Sequence, residues 1–123
     1  MCNGAGKKIW ILPDCELPRE GEGTAKGHES VIVVNDSTED AVISVKLFFT
    51  DKEAYEDIKW TVKAGQVRCF RTNKSDDMCG YIVPFETQYA MKLTSNCNIV
   101  VQYGRLDNTQ SNLAFYTTLG YSE

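Results

Sequence analysis

Apolar residues recur at every second position from Ala41 to Phe49, where Ile43, Val45, Leu47 and Phe49 alternate with more polar neighbours. A period of two sends successive side chains to opposite faces of an extended chain, so this run reads as a strand with one face against a core. The alternation returns in Ile58, Trp60 and Val62, in Val67 and Cys69, and in Ile99, Val101 and Tyr103. Strands are therefore expected near residues 8–12, 30–35, 41–49, 58–62, 67–72, 88–94, 98–103 and 113–121. Between them lie runs rich in turn-forming types, such as Asn35-Asp36-Ser37-Thr38-Glu39-Asp40 and Lys63-Ala64-Gly65-Gln66. Short strands with short turns imply an all-β fold, a single-domain β-sandwich of about seven to eight mainly antiparallel strands spanning residues 1–123.

A chain of 123 residues buries about two-thirds of its unfolded surface, enough for a core without metal or disulfide staples. Two longer connections, 13–27 and 73–87, do not resemble helices; ordered loops of that length cover a site, pack at an interface or remain mobile. The apolar runs Val31 to Val34 and Leu47 to Phe49 are too short to cross a bilayer, and Gly4, Lys7, Lys8, Pro13 and Asp14 interrupt any secretory leader, so a cytoplasmic location is expected. Cys2, Cys15, Cys69, Cys79 and Cys97 are odd in number and lack Cys-x-x-Cys spacing, which argues against a disulfide framework or a zinc knuckle. Cys69, at an apolar strand position, reads as a small core residue. A net charge of −4 makes broad affinity for nucleic acid unfavourable.

Polar side chains gather where strands end. The run Ser95 to Gln110 carries an apolar strand into Gln102, Arg105 and Asp107, with Gly104 leaving space beside them. Such a set can read hydroxyls or a carboxylate on a small ligand, or can order its own turn. Arg71 follows Val67 and Cys69 at strand spacing; its guanidinium needs a carboxylate such as Glu29, Asp51 or Asp107, or a ligand oxygen in place of one. His28, the single histidine, stands beside Glu29 and is suited to local hydrogen bonding, a ligand contact or a pH response. One histidine makes a poor metal site, and neither Ser30 nor Cys69 has the surroundings of a nucleophile, so no metal, cofactor or catalytic residue is expected. Aromatic residues are numerous; most are expected in the core, with Phe48, Tyr103 and Tyr116 the candidates for subunit contact.

Taken in order, several segments resemble the soluble sensory rhodopsin transducer family: Gly27-His28-Glu29-Ser30, Thr50-Asp51-Lys52-Glu53, Arg71 with Asn73, Pro84 to Ala90, and Ile99-Val100-Val101-Gln102 followed by Arg105, Leu106 and Asp107. The resemblance runs from Trp10 to Tyr121 and departs from the family's pattern at Asn98, where proline is common. It implies a cytoplasmic homotetramer without enzymatic chemistry. Such a protein would respond to a small, sugar-like ligand or relay a signal from a membrane rhodopsin; a sugar-directed enzyme is the weaker alternative, which rests on the polar set and not on the resemblance. Under the sensing reading, His28, Glu29, Arg71, Gln102, Arg105 and Asp107 are expected to line one polar recess at an end of the sandwich.

Overall fold

The computed structural model describes residues 4–21, 25–108 and 114–123, and every regular element in them is a strand. These are β1 (Lys7–Glu16), β2 (His28–Val34), β3 (Ala41–Phe49), β4 (Tyr55–Val62), β5 (Val67–Arg71), β6 (Gln88–Asp107), β7 (Ala114–Leu119) and β8 (Tyr121–Ser122). The expected all-β class holds, and all the strand ladders are antiparallel. No helix among the described residues is long and apolar enough to cross a membrane.

The 20-residue β6 is the spine. Its first half pairs with β1 and β3, while its second half pairs with β2 and β7. One hydrogen-bonded sheet is thereby folded into two layers, β4-β3-β6-β1-β8 and β5-β2-β6-β7. Their inner faces share one core that includes Ile43, Val45, Ile58, Met91 and Leu93 from the first layer and Val31, Val33, Phe70 and Val101 from the second. Trp60 of β4 stacks on Phe70 of β5 with ring centroids 4.1 Å apart and planes 3° from parallel. An aromatic pair of this kind adds about 0.5–1.5 kcal/mol beyond its area burial.

Four sequence expectations change. The two strands expected at 88–94 and 98–103 are one, because the polar side chains between them serve the ladder: Ser95 Oγ accepts from Cys97 N at 3.1 Å, and Asn96 Oδ1 accepts from Val42 N at 2.7 Å. β1 continues through Pro13 to Glu16, since a register shift between Leu12 and Cys15 absorbs the proline. β5 has the opposite phase from that expected. Phe70 points inward at 1% exposure, whereas Cys69 is exposed and is not a core residue. Finally, the strand expected at 113–121 is interrupted by Gly120, which separates β7 from β8; Leu113, like Cys2, lies outside the described residues. A Cβ on Gly120 would sit 2.4 Å from the Ile11 carbonyl oxygen and 2.6 Å from Leu12 Cδ2, so only glycine lets the chain pass this close to β1.

The 73–87 connection closes one side of the sandwich. Asp77 Oδ2 accepts from Arg71 N at 2.9 Å, while the Asp77 carbonyl accepts from Trp60 Nε1 at 2.6 Å, tying β5 to β4.

Candidate functional site

Glu29, Val31 and Val33 alternate on the inner phase of β2, which drives a carboxylate into the core with no exposed surface. An uncompensated buried charge is costly, and here hydrogen bonds compensate it. Glu29 Oε1 accepts from Thr72 Oγ1 at 2.7 Å and from the Tyr89 hydroxyl at 2.6 Å. Glu29 Oε2 accepts from Glu16 N at 2.9 Å and from the Tyr103 hydroxyl. Three separate segments, β1, the two halves of β6 and the residue that follows β5, thus converge on one carboxylate. Burial, reinforced by the Glu29 charge, pushes the phenols of Tyr89 and Tyr103 well above their ordinary range and keeps them protonated as donors. The same two causes, in the same order, push the buried Cys15 thiol up.

Tyr103, itself buried, carries this network to the floor of a cleft. Its ring forms part of a cleft of about 370 Å³ between the layers, with Leu12 and Asp14 of β1, Tyr116 and Thr118 of β7, and Tyr121 of β8. The β6–β7 register sets Thr118 opposite Tyr103 and Tyr116 opposite Arg105, so β7 presents alternate side chains to the cleft. Arg105 braces that wall. Its Nη1 donates to the Glu16 carbonyl at 3.2 Å, its Nη2 donates to the Tyr116 hydroxyl, and its guanidinium lies 4.8 Å from the Tyr116 ring centroid. The Tyr103 and Tyr116 rings stand 6.2 Å apart at 51°. A volume of this size suits a small molecule, with ring faces for its apolar patches and Asp14 and Thr118 for its hydroxyls.

The six residues singled out from the sequence do not share one recess. Glu29 lies opposite Arg105 on the inner phase, which Asp107 also occupies at the end of β6, opposite Ala114. Arg71 lies opposite Ser30, Gln102 opposite Ile32, and His28 opposite Leu106, all in the other phase. Alternation along β2 and β6 therefore sends His28, Arg71 and Gln102 to the outer face of their layer. The His28 ring Nδ1 is 2.8 Å from the Lys26 carbonyl oxygen. Arg71 does not take Glu29 as its partner, because that carboxylate is engaged by its four donors; Arg71 Nε is buried without an acceptor among the described residues. Tyr103, expected as a subunit contact, is buried at 1% exposure.

Asp14, Thr118 and Tyr121 were not singled out as binding residues. The available signal was the spacing of Tyr116 and Thr118 on one strand phase just before Gly120. Their meeting with β1 depends on a corner that local pattern does not encode.

A family model described as Anabaena sensory rhodopsin transducer matches residues 5–122 of the chain. Two solved structures share its fold. The crystal structure of Thermotoga maritima 1070 is 26% identical with a TM-score of 0.85, covering 96% of each chain. The Anabaena sensory rhodopsin transducer is 28% identical with a TM-score of 0.71, covering 82% of this chain and 98% of its own. A comparison with curated proteins gives no match.

Proposed function

The chain belongs to the Anabaena sensory rhodopsin transducer family, and we propose that it is a non-enzymatic sensing domain that takes a small, hydroxyl-rich, sugar-like ligand in the cleft between its layers. The observation that carries this reading is the exposed pair Tyr116 and Tyr121 over the buried floor of Tyr103, beside Asp14 and Thr118. Tyrosine faces stack on the C–H face of a sugar ring, while a carboxylate and a hydroxyl pair with its hydroxyls. Glu29 and Arg105 act as positioning residues, the first through the Tyr103 hydroxyl and the second through Tyr116. His28, Arg71 and Gln102, on the opposite face of the layer, act outside the cleft, in the contacts of a cytoplasmic homotetramer that passes the signal on.

Thermal-shift screening of neutral sugars and sugar acids tests the ligand. At a concentration 100-fold above Kd, a bound sugar stabilises the folded state by about 2.7 kcal/mol. At least one compound is expected to raise the Tm of the unaltered protein and to do so far less for Tyr116→Ala and Asp14→Asn. If no compound does so, or all three proteins respond alike, the cleft is not the sensing site.

A second reading, a dedicated relay for a membrane rhodopsin, is favoured by the solved relative described as a sensory rhodopsin transducer. It requires association with the receptor without any sugar, measurable by pull-down with the rhodopsin in detergent. A sugar-directed enzyme is the weakest reading; it requires turnover that falls when His28 or Glu29 is replaced. Against it, Glu29 is sealed from solvent and held by four donors.

A further inference from the structure

Between Leu12, paired with Met91, and Cys15, paired with Tyr89, β1 has two residues, Pro13 and Asp14, where β6 has only Ala90. Such a bulge re-aims a side chain out of the ladder, and here it brings Asp14 to the cleft between the layers. Asp14 is exposed and makes no hydrogen bond or ion pair among the described residues. An aspartate placed only to order the chain accepts from a backbone amide, as Asp36, Asp40 and Asp77 do. A second carboxylate stands at the rim, where Glu123 Oε2 accepts from the Tyr121 hydroxyl at 3.1 Å. Among the described residues no lysine or arginine lines the cleft. Arg105 is held outside the lining by the Glu16 carbonyl and the Tyr116 hydroxyl, and it lies opposite Glu29 in the β2–β6 ladder, which offsets its charge. What is left to face a ligand is negative charge beside tyrosine rings.

We infer that the ligand of this cleft is a cation, an amino sugar whose ammonium is held by Asp14 against the rings of Tyr116 and Tyr121. The inference rests on the cleft being the sugar site proposed above and adds the charge of the sugar. Cations are attracted to the faces of aromatic rings, and the Tyr116 ring already draws the Arg105 guanidinium to 4.8 Å from its centroid. An ammonium between such rings and a carboxylate gains a charge-assisted hydrogen bond as well. Thr118 Oγ1 donates to the Leu119 carbonyl at 3.0 Å and keeps its lone pairs for a sugar hydroxyl. A sugar acid, by contrast, would bring a further negative charge towards Asp14 and Glu123 with no cation in the lining to receive it.

Isothermal titration calorimetry with glucosamine, galactosamine and mannosamine, each beside its parent hexose and its N-acetyl derivative, tests the charge. Within a set the amine replaces one hydroxyl, and acetylation removes the charge while keeping the nitrogen. In at least one set the amine is expected to bind roughly tenfold tighter than the hexose, with the N-acetyl form no better than the hexose. In Asp14→Asn, which keeps the size of the side chain and removes its charge, that advantage should shrink to within about twofold. A second measurement uses the unaltered chain. Raising sodium chloride from about 0.05 to about 0.5 M should weaken the amine several-fold and leave the hexose unchanged, because salt screens only the charged ligand. Hexoses that bind as tightly as their amines, or an advantage that survives both Asp14→Asn and salt, overturn the charge assignment and leave the sugar site standing. If none of these sugars binds at millimolar concentration, the amino-sugar assignment falls; if the wider thermal-shift screen also finds no stabilising sugar, the sensing reading falls with it.

Discussion

The ring of Tyr103 lines the cleft between the layers, and its hydroxyl donates inward to Glu29 Oε2. One side chain thus joins the floor of the cleft to the carboxylate that ties the layers together. Replacing either group should register both in stability and in the shape of the cleft.

Glu29→Gln keeps the volume of the side chain but turns one acceptor oxygen into a donor. The new carbonyl can keep the Glu16 amide and Tyr103, but the NH2 then faces Thr72 and Tyr89, whose hydroxyls lose their acceptor. A buried donor left unsatisfied costs about 1–3 kcal/mol. For a chain of this length a Tm lower by roughly 5–15 °C is expected in differential scanning calorimetry. An unchanged Tm would mean that the four donors do not depend on the charge.

Stability should fall in alkali. The ordinary tyrosine value is 10.0, and Tyr89 and Tyr103 are held above it by burial and then by the Glu29 charge. Their contribution is complete below about pH 10, where the unfolded phenols also keep their protons. As the pH rises further, the unfolded chain releases protons that the folded chain retains, and stability declines through the folded values. The Tm is expected to be flat for these groups from pH 7 to 9 and to drop above about pH 10. Phenolate absorbance should show two of the six tyrosines ionising only on unfolding. Free titration of all six in a folded protein would remove Tyr89 and Tyr103 from the hub.

The phase of β5 is open to a paired substitution. Cys69→Ser, at an exposed position, should change unfolding free energy by no more than about 0.5 kcal/mol. Phe70→Ala removes the ring stacked on Trp60 and should cost about 3–5 kcal/mol in urea denaturation. The reverse ranking would restore the phase expected from the apolar pair Val67 and Cys69.

Gly120→Ala places a methyl group within 2.4 Å of the Ile11 carbonyl oxygen. The chain must shift away from β1, at a cost of about 1–3 kcal/mol. Amide exchange should quicken first in β7 and β8, and sugar affinity should fall with it. Uniform exchange across the chain would show that the corner bears no local load.

Where one strand phase is apolar and the other polar, the sequence already reads correctly: β3 has the boundaries expected of it, and β4 buries Ile58, Trp60 and Val62 on the expected phase. β5 misled because its outward phase, Val67 and Cys69, is as apolar as a core. Periodicity reports which residues avoid water but not which side of a sheet the core occupies. The polar stretch 94–98 concealed the continuity of β6 because hydrophilic side chains there bond neighbouring backbone, as turn residues also do. Glu29 and Arg105 were legible as important, yet their separation from Arg71 and Gln102 follows from parity along β2 and β6. The cleft was the least legible, since its walls come from β1, β6, β7 and β8 and meet only once the sheet has folded over.

Because β6 belongs to both layers, the molecule has no hinge along its spine. Sliding one sheet over the other would break the ladders that β6 makes with β1 and β3 at one end and with β2 and β7 at the other. Among the described residues, the margin is the least paired part of the sheet: β7 pairs with β6 alone and the two-residue β8 with β1 alone. The walls of the cleft that come from β7 and β8 are thus held by fewer ladders than the floor that comes from β6.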